Sequence, residues 1–159
     1  MTEVDRELIE HMANPNNYGT LDDADAVGIG ENPQNGEKVI IYLKVDESEE
    51  GRRIAEIRFQ AIACMTTVVA GSIITKEAEG ISFEMAEELI AVTLGMLENV
   101  PPEEAACSEM VAVALKAALD SYEAKKENPD LPAVVYKIEQ SCTPNPTPNP
   151  LENAQGAQA

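Results

Sequence analysis

Tryptophan is absent from this 159-residue chain and aromatic residues make up only 4% of it, so the core must be built from Ala, Val, Ile, Leu and Met. Positive charge is scarce too: 11 Lys+Arg stand against 29 Asp+Glu, a formal net charge of −18. Phosphate backbones and anionic membrane surfaces are both bound through Lys and Arg, so this balance argues against nucleic acid and membrane as partners. Apolar runs such as residues 66–74 fall far short of the roughly 20 residues that a membrane-spanning helix needs. The acidic start, Met1-Thr2-Glu3-Val4-Asp5, shows no basic region followed by an apolar stretch, and no secretory signal is read there. Histidine occurs once, as His11, which leaves no Ser/His/Asp set, and a structural role is the expectation for it. Neither phosphate-binding glycine loop is present, and Gly28-Ile29-Gly30 is too weak a signal to use. Three cysteines, Cys64, Cys107 and Cys142, with no CxxC pair, do not make a disulfide framework. Thiols in a reducing cytoplasm are the expectation.

What is present reads as one α+β domain. Val4, Leu8, Ile9 and Met12 recur at near-helical spacing over residues 1–13, and Asn14-Pro15-Asn16-Asn17-Tyr18-Gly19 stops that helix. Residues 26–30 form a plausible strand, followed by a loop over residues 31–37 whose Asn35-Gly36 marks a tight turn. Val39, Ile41, Leu43 and Val45 alternate with Ile40, Tyr42 and Lys44, and Ile57, Phe59 and Ala61 alternate with Glu56, Arg58 and Gln60. These are two strands of a hairpin, with the acidic residues 46–51 as its loop. Helical pattern follows over residues 65–78, over 83–93 behind the N-cap Ser82, and over 103–126 behind Pro101-Pro102. The expected fold is a small antiparallel three-stranded sheet with helices packed on one face. It occupies residues 1–126, with a C-terminal extension over 127–142 holding one short element, and a disordered, Pro/Asn/Gln-rich tail over 143–159.

Cys64 falls where the second hairpin strand hands over to a helix, and Cys107 falls near the start of the long helix. A helix N-terminus favours a thiolate, the form that binds soft metals or carries sulfur. The alternative is two buried cysteines packed as small apolar residues. Cys142 lies at the edge of the tail and reads as an incidental thiol.

The order of segments resembles the U-type iron–sulfur cluster scaffold family, the IscU and NifU N-terminal-domain proteins. Residues 11–19, His-Met-Ala-Asn-Pro-Asn-Asn-Tyr-Gly, are similar to its opening His-x-x-x-Pro-x-Asn-x-Gly signature. Gly28-Ile29-Gly30 with Asn32-Pro33 and Gly36 resembles the loop bearing the family's first cysteine and its aspartate. Phe59-Gln60-Ala61-Ile62-Ala63-Cys64 resembles its Phe-x-x-x-Gly-Cys segment, and Cys107-Ser108-Glu109-Met110 with the Ala-rich stretch 114–119 resembles its last cysteine and long helix. The resemblance spans about residues 5–125. Against the family pattern, Asn35 stands at the first cysteine, Glu37 at the aspartate, and Ala106 where a histidine precedes the last cysteine. Val100-Pro101-Pro102-Glu103-Glu104 resembles the chaperone-recognised Pro-Pro motif with two acids in place of Val-Lys, which implies weak or lost docking.

The resemblance implies a non-enzymatic, cytoplasmic scaffold that holds a labile iron–sulfur cluster, [2Fe–2S] or [4Fe–4S], through Cys64 and Cys107 and passes it to recipient proteins. Glu37 is the third, harder metal ligand it offers. Four ligands are needed, and two chains would supply 2 × 2 = 4 thiolates, so a homodimer sharing one cluster satisfies the count. It also implies a cysteine desulfurase as partner. Three alternatives stand beside this reading. One is a persulfide-accepting or regulatory homologue acting through Cys107, one a zinc-binding form using Cys64, Cys107 and Glu37, and one an acidic interaction module that keeps only the fold.

Overall fold

The computed structural model describes residues 2–34, 36–49, 51–128 and 130–138. Asn35, Cys142 and the whole of the 143–159 tail lie outside the described residues. The element order is α1 (Glu3–Ala13), β1 (Ala26–Asn32), β2 (Glu37–Ser48), β3 (Gly51–Ile62), α2 (Met65–Ala78), α3 (Phe83–Leu97), α4 (Pro102–Glu127) and β4 (Val134–Lys137).

Local chemistry explains the helix boundaries. Thr2 and Asp5 form a reciprocal capping box at the start of α1, which satisfies two backbone donors that the helix itself cannot. Ser82 accepts from the Met85 N–H at 3.2 Å and opens α3. Pro102 occupies the first turn of α4, where a missing N–H removes no bond.

The sheet has four strands in the order β3-β2-β1-β4, not the three expected. β1, β2 and β3 are antiparallel neighbours, whereas β4 runs parallel to β1, pairing Gly28 with Val134 through Glu31 with Lys137. Only four residues long and half-exposed along its length, β4 carries too short a pattern to be read as a strand by itself. It lies within residues 127–142, so part of that segment belongs to the sheet. The acidic stretch 46–51 also differs from expectation. It is strand almost to its tip, because Asp46 faces Arg53 and Glu47 faces Arg52 across the β2–β3 ladder. Opposite charges on facing positions support a ladder that a purely acidic run would oppose. Arg52 is also ion-paired with Glu123 of α4 and lies 5.0 Å from the centre of the Phe83 ring, fastening the hairpin tip to α3 and α4.

Val39, Ile41 and Leu43 of β2 and Ile57 and Phe59 of β3 are fully buried, on the face that the alternation assigns. The helices α2, α3 and α4 cover that face, and Met110, Val111, Ala114, Leu115 and Ala118 of α4 complete the core. On α1, Ile9 and Met12 of the expected apolar stripe are 49% and 46% exposed.

The C-terminal strand is tied back to α4 by the Tyr136 hydroxyl, which donates to Asp120. That carboxylate, together with burial, raises the Tyr136 phenol to about 12, and burial followed by the Glu47 hydrogen bond does the same for Tyr122. A raised phenol pKa favours the neutral form in the native state, so the associated stability is full below pH about 10 and is lost as the pH rises from 10 to 12. Thermal unfolding across that window should therefore show a steep alkaline loss of stability. The loss should be shallower in Tyr136→Phe, and an unchanged slope would separate β4 from the effect.

Candidate metal centre

β3 ends at Ile62, one residue turns the chain, and Cys64 is the N-cap of α2. Its backbone is extended (φ −72°, ψ 167°), and its carbonyl accepts from the N–H groups of Thr67 and Val68. The thiol makes no capping bond, so it is available to point inward instead. Cys107 is the sixth residue of α4 and is 2% exposed. It therefore lies beyond the four N-terminal N–H groups, and the expectation of a thiol placed at a helix start holds for Cys64 but not for Cys107.

Residues 43 apart in sequence thus meet: the Cys64 and Cys107 sulfurs are 3.7 Å apart, with the Thr67 hydroxyl 3.6 Å from Cys64 Sγ. Cys64 is half-buried and Cys107 buried, and both are thiols, not a disulfide. Close packing of small residues makes the meeting possible. The buried face of α2 is Thr67, Ala70, Gly71, Ser72, Ile74, Thr75 and Ala78. A Cβ on Gly71 would lie 2.4 Å from the Phe59 ring, so α2 approaches β3 as closely as it does only because that position is glycine. Large apolar side chains flank Cys64 in sequence, Ile62 at 65% exposure and Met65 at 48%.

Glu37 opens β2 opposite Asn32, and the next pair in the ladder joins Lys38 to Ile62, so Glu37 lies at the same end of the sheet as Cys64. Among the described residues, however, no three His, Cys, Asp or Glu side chains come together as a metal-holding group. The fold joins the two cysteines and leaves Glu37 near their end of the sheet without closing a three-ligand set. Asn32 is buried, and its side chain and carbonyl accept from the N–H groups of Gln34 and Gly36. Gly36 has φ +76°, consistent with the turn expected at this loop.

The segment 11–19 serves a different purpose. His11 Nδ1 is 2.6 Å from Ser72 Oγ, which also accepts from the Asn16 backbone at 2.7 Å and from its amide at 3.2 Å. Asn17, at φ +62°, accepts from the Phe59 N–H through its carbonyl, and Gly19 donates to the Phe59 carbonyl. The single histidine is thus part of a clamp that holds α1 and its loop to α2 and the edge of β3. Ser72 carries that clamp, yet a serine inside an apolar helix gives no sign of it in the sequence. A cavity of about 570 Å³ lies beside it, lined by Glu7, Glu10, His11, Ile73, Lys76 and Glu77, and contains neither cysteine.

Residues 3–129 match the family model described as the NifU-like N terminal domain. An Archaeoglobus fulgidus protein named iron-sulfur cluster assembly scaffold protein IscU 1 is 34% identical over 119 residues, covering 72% of this chain and 73% of its own. A Drosophila melanogaster protein named iron-sulfur cluster assembly enzyme IscU is 29% identical over 123 residues, covering 76% of this chain and 78% of its own. In structure, the N-terminal NifU-like protein from Brucella abortus superposes with a TM-score of 0.62 at 20% identity, over 76% of this chain and 94% of that one. This last likeness concerns the fold.

Proposed function

The chain belongs to the NifU-like N-terminal-domain family, and from that premise we propose that it is an iron–sulfur cluster assembly scaffold, holding a labile cluster through Cys64 and Cys107 and passing it to recipient proteins. The observation that carries the proposal is the sulfur–sulfur separation of 3.7 Å. Metal–sulfur bonds of about 2.3 Å at a tetrahedral angle place two thiolates about 3.8 Å apart. The two thiols therefore stand where a single tetrahedral metal would hold them, before any metal arrives.

One such pair fills the two outer positions of one iron in a [2Fe–2S] unit, whose other two positions are bridging sulfides. The second iron needs two more ligands. Glu37, at the same end of the sheet, offers one oxygen donor, and a second copy of the chain offers two thiolates. Glu37 alone would leave one position of that iron open, whereas a second copy fills both. Either arrangement leaves a weakly held cluster, because a carboxylate binds a soft centre less tightly than thiolate and a shared cluster is lost when the dimer parts. Lability suits a scaffold. A cysteine desulfurase supplying sulfur and iron–sulfur proteins receiving the cluster are the partners this role requires.

The role is one of holding and transfer, matching the word scaffold in the Archaeoglobus relative's name in preference to enzyme in the Drosophila relative's. A cytoplasmic site of action fits two cysteines kept as thiols although their sulfurs are close together. Among the described residues no helix is long and apolar enough to cross a membrane.

Anaerobic reconstitution of the reduced full chain with ferrous iron and sulfide tests the proposal. The expected product absorbs in the visible and contains iron and acid-labile sulfide in equal amounts, at one [2Fe–2S] unit per two chains if the cluster is shared. Absence of any absorbing species would sink it. Zinc suits the same pair of thiolates, so metal analysis of protein purified without oxygen decides between the metals.

A further inference from the structure

Two sulfurs in van der Waals contact can also react with each other. We propose that Cys64 and Cys107 form a reversible intramolecular disulfide, Cys64 meeting a hydroperoxide oxidant and Cys107 resolving it, and that this closure removes the pair from metal binding.

The separation is 3.7 Å and a disulfide needs about 2.05 Å, so about 1.6 Å must be closed. The two ends differ in freedom. Cys107 sits in the body of α4 at 2% exposure, packed with Ala106 and Met110 in the core cluster. Cys64 sits at the joint between β3 and α2, its side chain held by no capping bond, so rotation there closes the gap. Exposure sets the order of events: the half-buried Cys64 is reachable from solvent, and the buried Cys107 has the Cys64 sulfur 3.7 Å away.

In the first step the Cys64 sulfur attacks the peroxide. A sulfur–oxygen bond forms, the oxygen–oxygen bond breaks, and the alcohol or water departs with the thiol proton, leaving Cys64 as a sulfenic acid oxidised by two electrons. In the second step the Cys107 sulfur attacks the Cys64 sulfur, the sulfur–oxygen bond breaks, and hydroxide leaves as water with the Cys107 proton. The sum is two thiols plus ROOH giving a disulfide, ROH and water. A dithiol reverses it by exchange. Each sulfur of a disulfide has lost the charge that makes a thiolate a ligand, so the closed form cannot hold iron or zinc. That consequence rests on the scaffold reading, whereas the disulfide itself does not.

The test uses the metal-free, reduced full chain, treated with hydrogen peroxide, quenched with a maleimide and read by intact mass and peptide mapping. Three cysteines are present, and the expected product is a monomer lighter by two hydrogens that labels at one cysteine, with the Cys64 and Cys107 peptides joined. Dithiothreitol should restore labelling at all three. Cys142→Ser should give the same joined peptides. Without its resolving partner, Cys107→Ser should drive Cys64 on to the sulfinic acid faster by on the order of tenfold. Joined peptides that involve Cys142, links only between chains, or equal sulfinic acid formation in the parent chain and Cys107→Ser would each overturn the proposal. Reconstitution of the reduced chain is a separate measurement, so failure here leaves the scaffold reading standing, and failure there leaves the disulfide standing.

Discussion

Cys64→Ser is expected to reduce bound iron after anaerobic reconstitution by at least about tenfold while leaving the fold as stable as before, or slightly more so. The two effects separate because the residue has two positions at once, one in the thiol pair and one at a helix cap. Removing one thiolate leaves a single soft ligand on the metal, and a serine hydroxyl is a poor replacement for soft iron. As an N-cap, however, Cys64 makes no side-chain bond, whereas serine is among the best residues for that place and typically contributes about 1 kcal/mol there. Cys107→Ser should lose iron to the same degree but also lose stability, by about 1–3 kcal/mol, because it places a hydroxyl at a position only 2% exposed. Iron and sulfide content beside thermal unfolding of the two variants checks both halves. Equal destabilisation in both, or iron retained in both, would contradict the assignment of these residues to one metal.

Much of the fold is legible because the chain follows simple periodicities where burial is one-sided. The alternation from Val39 to Leu43 and from Ile57 to Phe59 puts the right residues on the buried face. The helix starts at Ser82 and Pro102 are chemical signals, and both mark real boundaries. Where legibility fails, the deciding contact is distant in sequence. The acidic residues 46–48 read as loop when taken alone, and only the facing Arg52 and Arg53 make them strand. The four residues of β4 become a strand by pairing with β1, more than a hundred positions earlier. At the site, a single chain reading can find Cys64 and Cys107 but not their 3.7 Å contact, which depends on the glycine at position 71 and on the line of approach of α4. Glu37 remains a proposed third ligand, placed at the right end of the sheet by register alone.

Gly28 and Gly30 of β1 set that line of approach, and Gly28→Ala is the substitution expected to harm the protein most. A Cβ at Gly28 would lie 2.0 Å from the Ala118 nitrogen, 2.5 Å from the Ala114 carbonyl oxygen and 2.6 Å from the Ala117 carbonyl carbon, all of them α4 backbone. A side chain could rotate out of the way, but a helix backbone must move as a body. Gly30 faces the same helix at the Met110 carbonyl, 2.3 Å from its own notional Cβ. Overpacking usually costs about 1–3 kcal/mol, and displacement of a buried helix belongs at or above the top of that range. At roughly 2–4 °C of midpoint per kcal/mol for a chain of this size, the melting temperature should fall by about 6–12 °C or more. Gly95→Ala is the matched control, since that glycine lies within α3 with open space around it, and alanine there should raise stability by up to about 1 kcal/mol. Cys107 rides on the same helix that Gly28 supports, so moving α4 also moves one sulfur of the pair relative to the other. The fraction of Gly28→Ala that still folds should therefore bind less iron per folded chain than the parent. Full iron loading in that fraction would mean that the thiol pair tolerates a shifted α4, and that the two glycines serve packing alone.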